Sequence, residues 1–211
     1  MKDYIGICWT RPVPWVGFTA LSDDIDTAAR QSRTVRYQRD LIRRWVLSEG
    51  GHLQREIVFM ELAADRASFE AISELQSLVE TTPSEVHFVH VDFAFAGGWR
   101  RHRALTHMLE NHGSVALTPD PLPIDIDPAN PGKGKVMFDP VQHFGRWNEL
   151  EARHIADKDS HASEIMAFLA DYPLTSWPKR AAALNEAGKR THGGKSWSAD
   201  NLRKFAQLHQ G

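Results

Sequence analysis

Hydrophobic residues cluster in four short runs within the first 120 residues, and these runs predict β-strands at residues 4–9, 56–60, 86–91 and 115–117. Between them, apolar residues recur at spacings of three and four, as they do along one face of a helix. These helical patterns cover residues 35–46, 69–79 and 105–109, each followed by glycine or proline. Because strands and helices alternate, we expect an α/β domain whose mostly parallel sheet is covered by helices on both faces.

The composition changes after residue 118. Six prolines and two glycines lie between residues 119 and 140 and exclude a continuous helix there. Four further helical patterns follow, at residues 141–155, 163–170, 178–187 and 198–208. The predicted organisation is therefore an α/β domain over residues 1–120, a proline-rich linker or wrapped arm over residues 121–140, and a small all-helical domain over residues 141–211.

Composition excludes several classes of protein. The chain is 42% hydrophobic and 25% charged, which provides a core and argues against a long disordered chain. Cys8 is the single cysteine, so an intrachain disulfide and a multi-cysteine zinc site are both excluded and a reducing compartment is favoured. No apolar run approaches the roughly 18 residues of a membrane span, and the N-terminus does not resemble a signal peptide. We expect a cytoplasmic protein with no membrane partner.

The net charge of −2 conceals an uneven distribution. Residues 176–211 contain seven basic and two acidic residues, which leaves a net charge of −7 on the preceding part of the chain. A basic segment beside an acidic body is typical of a DNA-binding module attached to another domain. A solvated helical face is an equally good interpretation of the charge alone.

The basic segment has the layout of a helix-turn-helix module. Pro178 suits the first turn of one short helix and Gly188 its end, while Ser198 suits the N-cap of the next. The loop between the two helices is basic. Such a pair of helices suits a geometry in which one helix enters the major groove of double-stranded DNA.

Ten residues of this segment are candidates for contact with double-stranded DNA. Basic side chains suit the phosphate backbone, and Asn201, with His192 or Ser198, suits the edges of the bases. The ten candidates are Lys179, Arg180, Lys189, Arg190, His192, Lys195, Ser198, Asn201, Arg203 and Lys204.

Residues 180–198 resemble the helical "recombinase" domain that follows the catalytic domain in many serine recombinases. The positions in register with the family's pattern are Leu184, Asn185, Gly188, Thr191, Gly194, Lys195, Trp197 and Ser198. The resemblance implies DNA binding by this part of the chain.

Residues 4–120 resemble the resolvase/invertase catalytic domain of the same family. Thr34 and Gln38 stand where the family has S-x-x-x-Q, and Asp65-Arg66 matches a D-R pair whose arginine contacts the scissile phosphate. Residues 86–92 resemble the third strand of that domain. The resemblance implies a resolvase-like sheet, and the family's reaction is strand exchange through a phosphoserine link.

The positions that carry this chemistry in the family are largely replaced. The family's first strand ends in Y-x-R-x-S; Arg11 keeps the arginine, but Val13 occupies the nucleophile position. After the third strand Asp92 is kept, whereas the two arginine positions hold Phe93 and Ala96. Loss of one donor to developing charge costs about 100- to 1000-fold in rate, and a covalent route requires a nucleophile. We therefore assign no catalytic residue and expect a DNA-binding pseudoenzyme, a regulator or accessory factor of a mobile element.

Two other functions stay open. An active recombinase would need a displaced nucleophile, Thr10 or Ser22, with substitute arginines from residues 100–103. A protein-interaction module without DNA binding is the second alternative, since a fold does not fix a function.

We expect no cofactor and no metal site. His87 and His90 lie three apart on a predicted strand, so their side chains point to opposite faces. Gly97-Gly98 indicates a turn, and the sequence has no glycine-rich nucleotide motif. A homodimer is compatible with the sequence, although the helix after residue 140 is shorter than the family's assembly helix.

Overall fold

The computed structural model describes residues 1–60, 69–95, 108–109, 112–171 and 176–209. The chain divides into two compact units. Unit 1 comprises Met1–Pro12 and Ala20–Arg146, and unit 2 comprises Val13–Thr19 and Trp147–Gly211.

Unit 1 is built on a four-stranded parallel sheet. Its strands are β1 (Asp3–Thr10), β2 (His52–Met60), β3 (Val86–Val91) and β4 (Ser114–Leu117), in the order β2-β1-β3-β4. The expected α/β architecture, a parallel sheet flanked by helices, is therefore confirmed. Strand β2 begins four residues before the predicted start, and this added portion is polar and mostly exposed, so it lacks the hydrophobic signal of a strand.

Within the described residues, three helices accompany these strands: α1 (Ile25–Gln31), α2 (Arg33–Ser48) and α3 (Phe69–Thr81). The Asp24 carboxylate caps α1 by accepting a hydrogen bond from the backbone of Thr27. Ser32 ends α1 and caps α2, because its hydroxyl accepts from the backbone N–H of Val35 at 3.3 Å. Most of the predicted helix at residues 105–109 lies outside the described residues.

The proline-rich segment differs from the expected linker or arm. It contains an antiparallel hairpin, β5 (Leu122–Asp125) and β6 (Lys135–Phe138). Leu122, Ile124 and Phe138 are buried and belong to the core of unit 1. Their alternation has the period of a strand, and most of the prolines lie in the turn or flank the strands, where they remove no ladder hydrogen bond.

Four helices follow the hairpin: α4 (Pro140–Ala156), α5 (Lys158–Asp171), α6 (Trp177–Glu186) and α7 (Ala199–His209). The division between the two units falls within α4. The hydrophobic core of unit 2 is formed by Ile165, Leu169, Ala181, Leu184, Trp197 and Leu202. Helix α5 begins five residues before the predicted start. The hydrophobic pattern did not reveal these residues because most of them are exposed and polar.

None of the helices in the described ranges is long and apolar enough to cross a membrane. Within the same ranges, histidine, cysteine and carboxylate side chains do not assemble in threes around a position suited to a metal ion.

Candidate functional site

The sheet of unit 1 has a switch point between β1 and β3. From β1 the chain passes to β2 on one side and then returns to β3 on the other. Ligands of such sheets bind where the carboxyl ends of the diverging strands leave a crevice. Thr10, the alternative nucleophile, ends β1, and Asp92 follows β3, so both residues lie at the carboxyl-terminal edge of the sheet.

Aromatic rings fill the region after β3. Phe93, which the family resemblance equates with an arginine, is 1% exposed. Its ring centroid lies 5.0 Å from that of Phe144, 6.0 Å from that of Tyr37 and 6.4 Å from that of Trp9. The Tyr37 ring stacks in turn on Phe138 at 4.6 Å. Phe93 is therefore a core residue and not an exposed replacement.

Tyr37 is the polar member of this cluster, and it is held as a neutral phenol. Its hydroxyl donates to the backbone carbonyl of Asp120 at 2.7 Å. Burial raises the pKa of Tyr37, and the carboxylates of Asp120 and Asp139 raise it further. A phenol that is buried and already donating to the backbone suits a structural role.

Thr10, the alternative nucleophile, is 5% exposed. The Ser32 hydroxyl donates to its Oγ1 at 3.5 Å, and the same hydroxyl caps α2. Thr10 is thus part of the buried junction between β1 and α2. The second alternative, Ser22, lies in the turn before α1, where its Oγ accepts from the backbone of Asp24.

Gln38 has a role that sequence reasoning missed. The ladder between β1 and β3 ends at the pair Ile7↔His90, two residues before Trp9, and Trp9 pairs with Phe59 of β2. The Gln38 amide donates to the carbonyl of Trp9 at 2.7 Å and accepts from its N–H at 3.2 Å. Gln38 thereby continues the ladder from helix α2 and satisfies a buried backbone pair.

Two arginines of α2, Arg36 and Arg39, are engaged within unit 1. Arg36 donates to the backbone carbonyls of Ala29 and Asp125. Arg39 pairs with Asp26 and Asp40. These guanidinium groups stabilise the helix against its neighbours, and the sequence pattern alone does not distinguish them from phosphate ligands.

His143 lies at the edge of the aromatic cluster. Its Nε2 is 3.3 Å from the hydroxyl of Thr34, and its ring contacts that of Phe138 at 4.6 Å. Burial lowers the pKa of His143 to about 4, and the positive charges of Arg33 and Arg146 act in the same direction. The imidazole is therefore neutral in the folded protein at neutral pH.

We expect unit 1 to lose stability as the pH falls from about 6.5 to about 4, because the unfolded chain binds a proton at His143 that the folded protein excludes. The contribution is fully present above pH 6.5 and amounts to about 2 kcal/mol once partial exposure is allowed for. Urea unfolding between about pH 7 and about pH 4.5 measures it. His143→Gln should reduce the loss of unfolding free energy between about pH 6.5 and about pH 4, whereas the control His52→Gln, at an exposed histidine, should not. An unchanged loss in His143→Gln would refute the assignment.

In unit 2, Asn185 fixes the segment between α6 and α7. Its amide accepts from the backbone N–H of Trp197 at 2.8 Å and donates to the backbone carbonyl of the same residue at 2.9 Å. Its neighbour Leu184 is fully buried, and Trp197 belongs to the same core. The spacing of these three residues therefore has a structural reason, which the motif did not reveal.

The basic turn, residues 189–195 between α6 and α7, is ordered by hydrogen bonds. The backbone N–H of Thr191 donates to the carbonyl of Lys195, and the Thr191 hydroxyl accepts from the Lys195 N–H. Gly194 has a φ of +78°, and a Cβ there would collide with the backbone carbonyl of Pro14. Glycine is thus required at this position for both its conformation and its size.

The seven candidate DNA-contacting cations fall into three groups. Lys179 and Lys195 are exposed and have no carboxylate partner among the described residues. Three others are paired: Lys189 with Glu164, and both Arg203 and Lys204 with Asp200.

The remaining two cations contact uncharged groups. Arg190 donates to the side-chain oxygens of Asn185 and Ser196 at 3.2 and 3.0 Å. Arg180 lies over the ring of Trp177, with its guanidinium carbon 4.9 Å from the centroid. These contacts of Arg190 leave its positive charge available to a phosphate.

The three expected base-contacting side chains have partners within unit 2. His192 stacks on His154 at 3.9 Å, and its Nε2 lies 2.8 Å from the carbonyl of that residue. The Ser198 hydroxyl accepts from the N–H of Asn201, and the Asn201 amide accepts from the N–H of Ser198. This reciprocal pair caps α7. Contact with DNA bases would compete with these bonds.

Several predicted positions lie outside the described residues, namely Asp65, Arg66, Ala96, Gly97, Gly98, Arg100, Arg101 and Arg103. Val13, at the family's nucleophile position, is described: it is buried in unit 2 and forms an isolated bridge with Phe18. Comparisons of this chain with models of protein families, with curated proteins and with solved structures yield no match.

Proposed function

We propose that this chain is a DNA-binding protein built on a serine-recombinase-like plan and that it does not cleave or exchange DNA strands. Its role would be that of a regulator or accessory factor of a mobile element. The observation that carries the proposal is the burial of Phe93 among aromatic rings, at the position where the family places an arginine.

The chemistry of phosphoryl transfer supports the absence of cleavage. Charge that develops on a phosphoryl group needs fixed cations beside it. Phe93 supplies an apolar ring instead, and the hydroxyl of Thr10 is buried against Ser32. Val13 has no nucleophilic atom. Together these replacements remove the attacking group and part of its electrostatic support.

The arrangement of unit 2 supports DNA binding. Helices α6 and α7 flank an ordered turn, and the clamp of Asn185 on Trp197 fixes the end of that turn. Lys179 and Lys195 are exposed on this scaffold. We interpret the pair as a helix-turn-helix module in which α7 enters the major groove and the basic turn follows the phosphates.

The test begins with a pool of random-sequence DNA duplexes, from which the protein selects sites at low salt. The selected duplexes are then incubated with the protein and separated on native and denaturing gels. We expect retarded duplexes on the native gel and no covalent protein–DNA adduct on the denaturing gel. An active serine recombinase with its own site serves as the positive control for adduct formation.

Two outcomes would contradict the proposal in different ways. An adduct that disappears in Thr10→Ala or Ser22→Ala would establish an active recombinase with a displaced nucleophile. Failure to retain any duplex at low salt, together with a stable protein complex, would establish an interaction module without DNA binding.

A further inference from the structure

We propose that unit 2 contains a binding pocket for a small, flat organic anion such as an aromatic carboxylate. The pocket has a volume of about 410 Å³, within the range of small-molecule sites. Helix α5, the turn after α6 and helix α7 all contribute to its lining. Occupation of this pocket does not require that unit 2 binds DNA.

The walls of the pocket favour a flat apolar body. Trp197 and Phe205 line it and pack edge to face, with ring centroids 5.0 Å apart. Ala162 and Leu208 add aliphatic surface, and Leu208 is 82% exposed. Aromatic walls of this kind contact a planar ring over a large area.

Two nitrogen atoms of the lining residues are buried without a hydrogen-bond partner in the described part of the chain. They are Nε1 of Trp197 and Nε2 of His161. An unsatisfied buried donor costs about 1–3 kcal/mol, and the indole N–H can only donate. A ligand with an acceptor oxygen would remove this cost, which selects against a purely hydrocarbon ligand.

The charge of the lining selects an anion. The lining includes Lys158, Lys204 and three histidines but no aspartate or glutamate. Lys204 also contacts the carboxylate of Asp200 at 2.9 Å, so Lys158 is the cation without a carboxylate partner among the described residues. A carboxylate group on the ligand would complement this surface.

The acceptor requirement and the charge requirement are separable by experiment. Naphthoate carries the ring, the acceptor and the charge, whereas naphthamide keeps the ring and an acceptor oxygen but has no charge. The binding of each compound to the full chain is measured by calorimetry, and the indole N–H signal of Trp197 is followed by NMR. Trp197→Phe identifies that signal and removes the donor while keeping an aromatic side chain.

We expect naphthoate to shift the Trp197 signal and to bind about tenfold more weakly to Trp197→Phe. The double variant Lys158→Ala/Lys204→Ala should weaken naphthoate binding and leave naphthamide binding unchanged. The control Trp147→Phe, at an indole outside the pocket lining, should bind both compounds as the parent protein does.

Absence of any naphthoate-dependent shift of the Trp197 signal would overturn the proposal. So would equal binding of naphthoate by the parent protein and the double lysine variant. Because Lys158 and Lys204 are exposed, this second result is obtained even if Trp197→Phe fails to fold. Equal affinities for naphthoate and naphthamide would also overturn the proposal, because the pocket would then show no preference for anions.

Discussion

Replacing Phe93 by alanine should lower the free energy of unfolding of unit 1 by about 3–5 kcal/mol, as expected for the removal of a buried aromatic ring. Phe93 is 1% exposed and contacts the rings of Trp9, Tyr37 and Phe144. The lost ring leaves a cavity between β1, α2 and α4 that these neighbours fill only in part. Urea unfolding, followed by circular dichroism, measures the change.

Phe93→Arg should be more damaging than Phe93→Ala. The substitution introduces the residue that serine recombinases carry at the position which the proposed resemblance equates with Phe93, and it places a guanidinium among apolar rings. Burying an unpaired charge costs at least several kcal/mol, in addition to the lost packing. We therefore expect no cooperative unfolding transition in this variant, and no gain of DNA cleavage.

The matched control is Leu47→Ala, which shortens a side chain that is 79% exposed on the same unit. Its effect should stay within about 0.5 kcal/mol. A Phe93→Arg protein that folds with the stability of the parent chain would show that the position tolerates a cation. The argument against strand cleavage would then lose its main support.

The core strands were predictable from the sequence because their hydrophobic runs are continuous. Strands β1 and β3 are each buried along their whole length except at one residue. The hairpin of β5 and β6 was not predicted, since proline content outweighed a weak alternation of apolar residues over four-residue strands. Short strands of this kind are decided by tertiary packing, which a local pattern does not contain.

The polar clamps illustrate a second limit. Gln38 and Asn185 were both noticed as members of family motifs, yet their partners, Trp9 and Trp197, are separated from them by 29 and 12 residues along the chain. A motif identifies such a residue but not the backbone group that it satisfies. Only the meeting of β1 with α2, and of α6 with the segment before α7, explains why an amide is needed.

The sequence predicted the charged residues of the candidate DNA-binding surface. It did not predict the ion pairs that some of them form within unit 2. Net charge treats Lys189 and Lys195 as equivalent. The structure pairs Lys189 with Glu164 and leaves Lys195 exposed without a carboxylate partner in the described part of the chain. Since an existing ion pair must be broken or shared before a phosphate is bound, the unpaired cations should dominate the salt dependence.

The triple variant Lys179→Ala/Arg190→Ala/Lys195→Ala should therefore bind DNA with an affinity that depends less steeply on salt concentration. If each contacts one phosphate, the slope of log affinity against log salt concentration becomes less steep by about 2.7. When salt is raised from about 50 to about 200 mM, the affinity of the parent protein should fall by a factor that is about 40 times larger than the factor for the variant. Fluorescence anisotropy with a labelled duplex measures both slopes.

The control Lys2→Ala/Arg44→Ala/Arg55→Ala removes the same charge from exposed positions of unit 1. Its salt slope should match that of the parent protein, because long-range attraction alone is screened within about 10 Å at moderate salt. Equal losses in the two triple variants would mean that net charge, not a surface on unit 2, governs binding. A variant of unit 2 with an unchanged slope would remove the basic turn from the interface, because counterions are released only where cations meet phosphates.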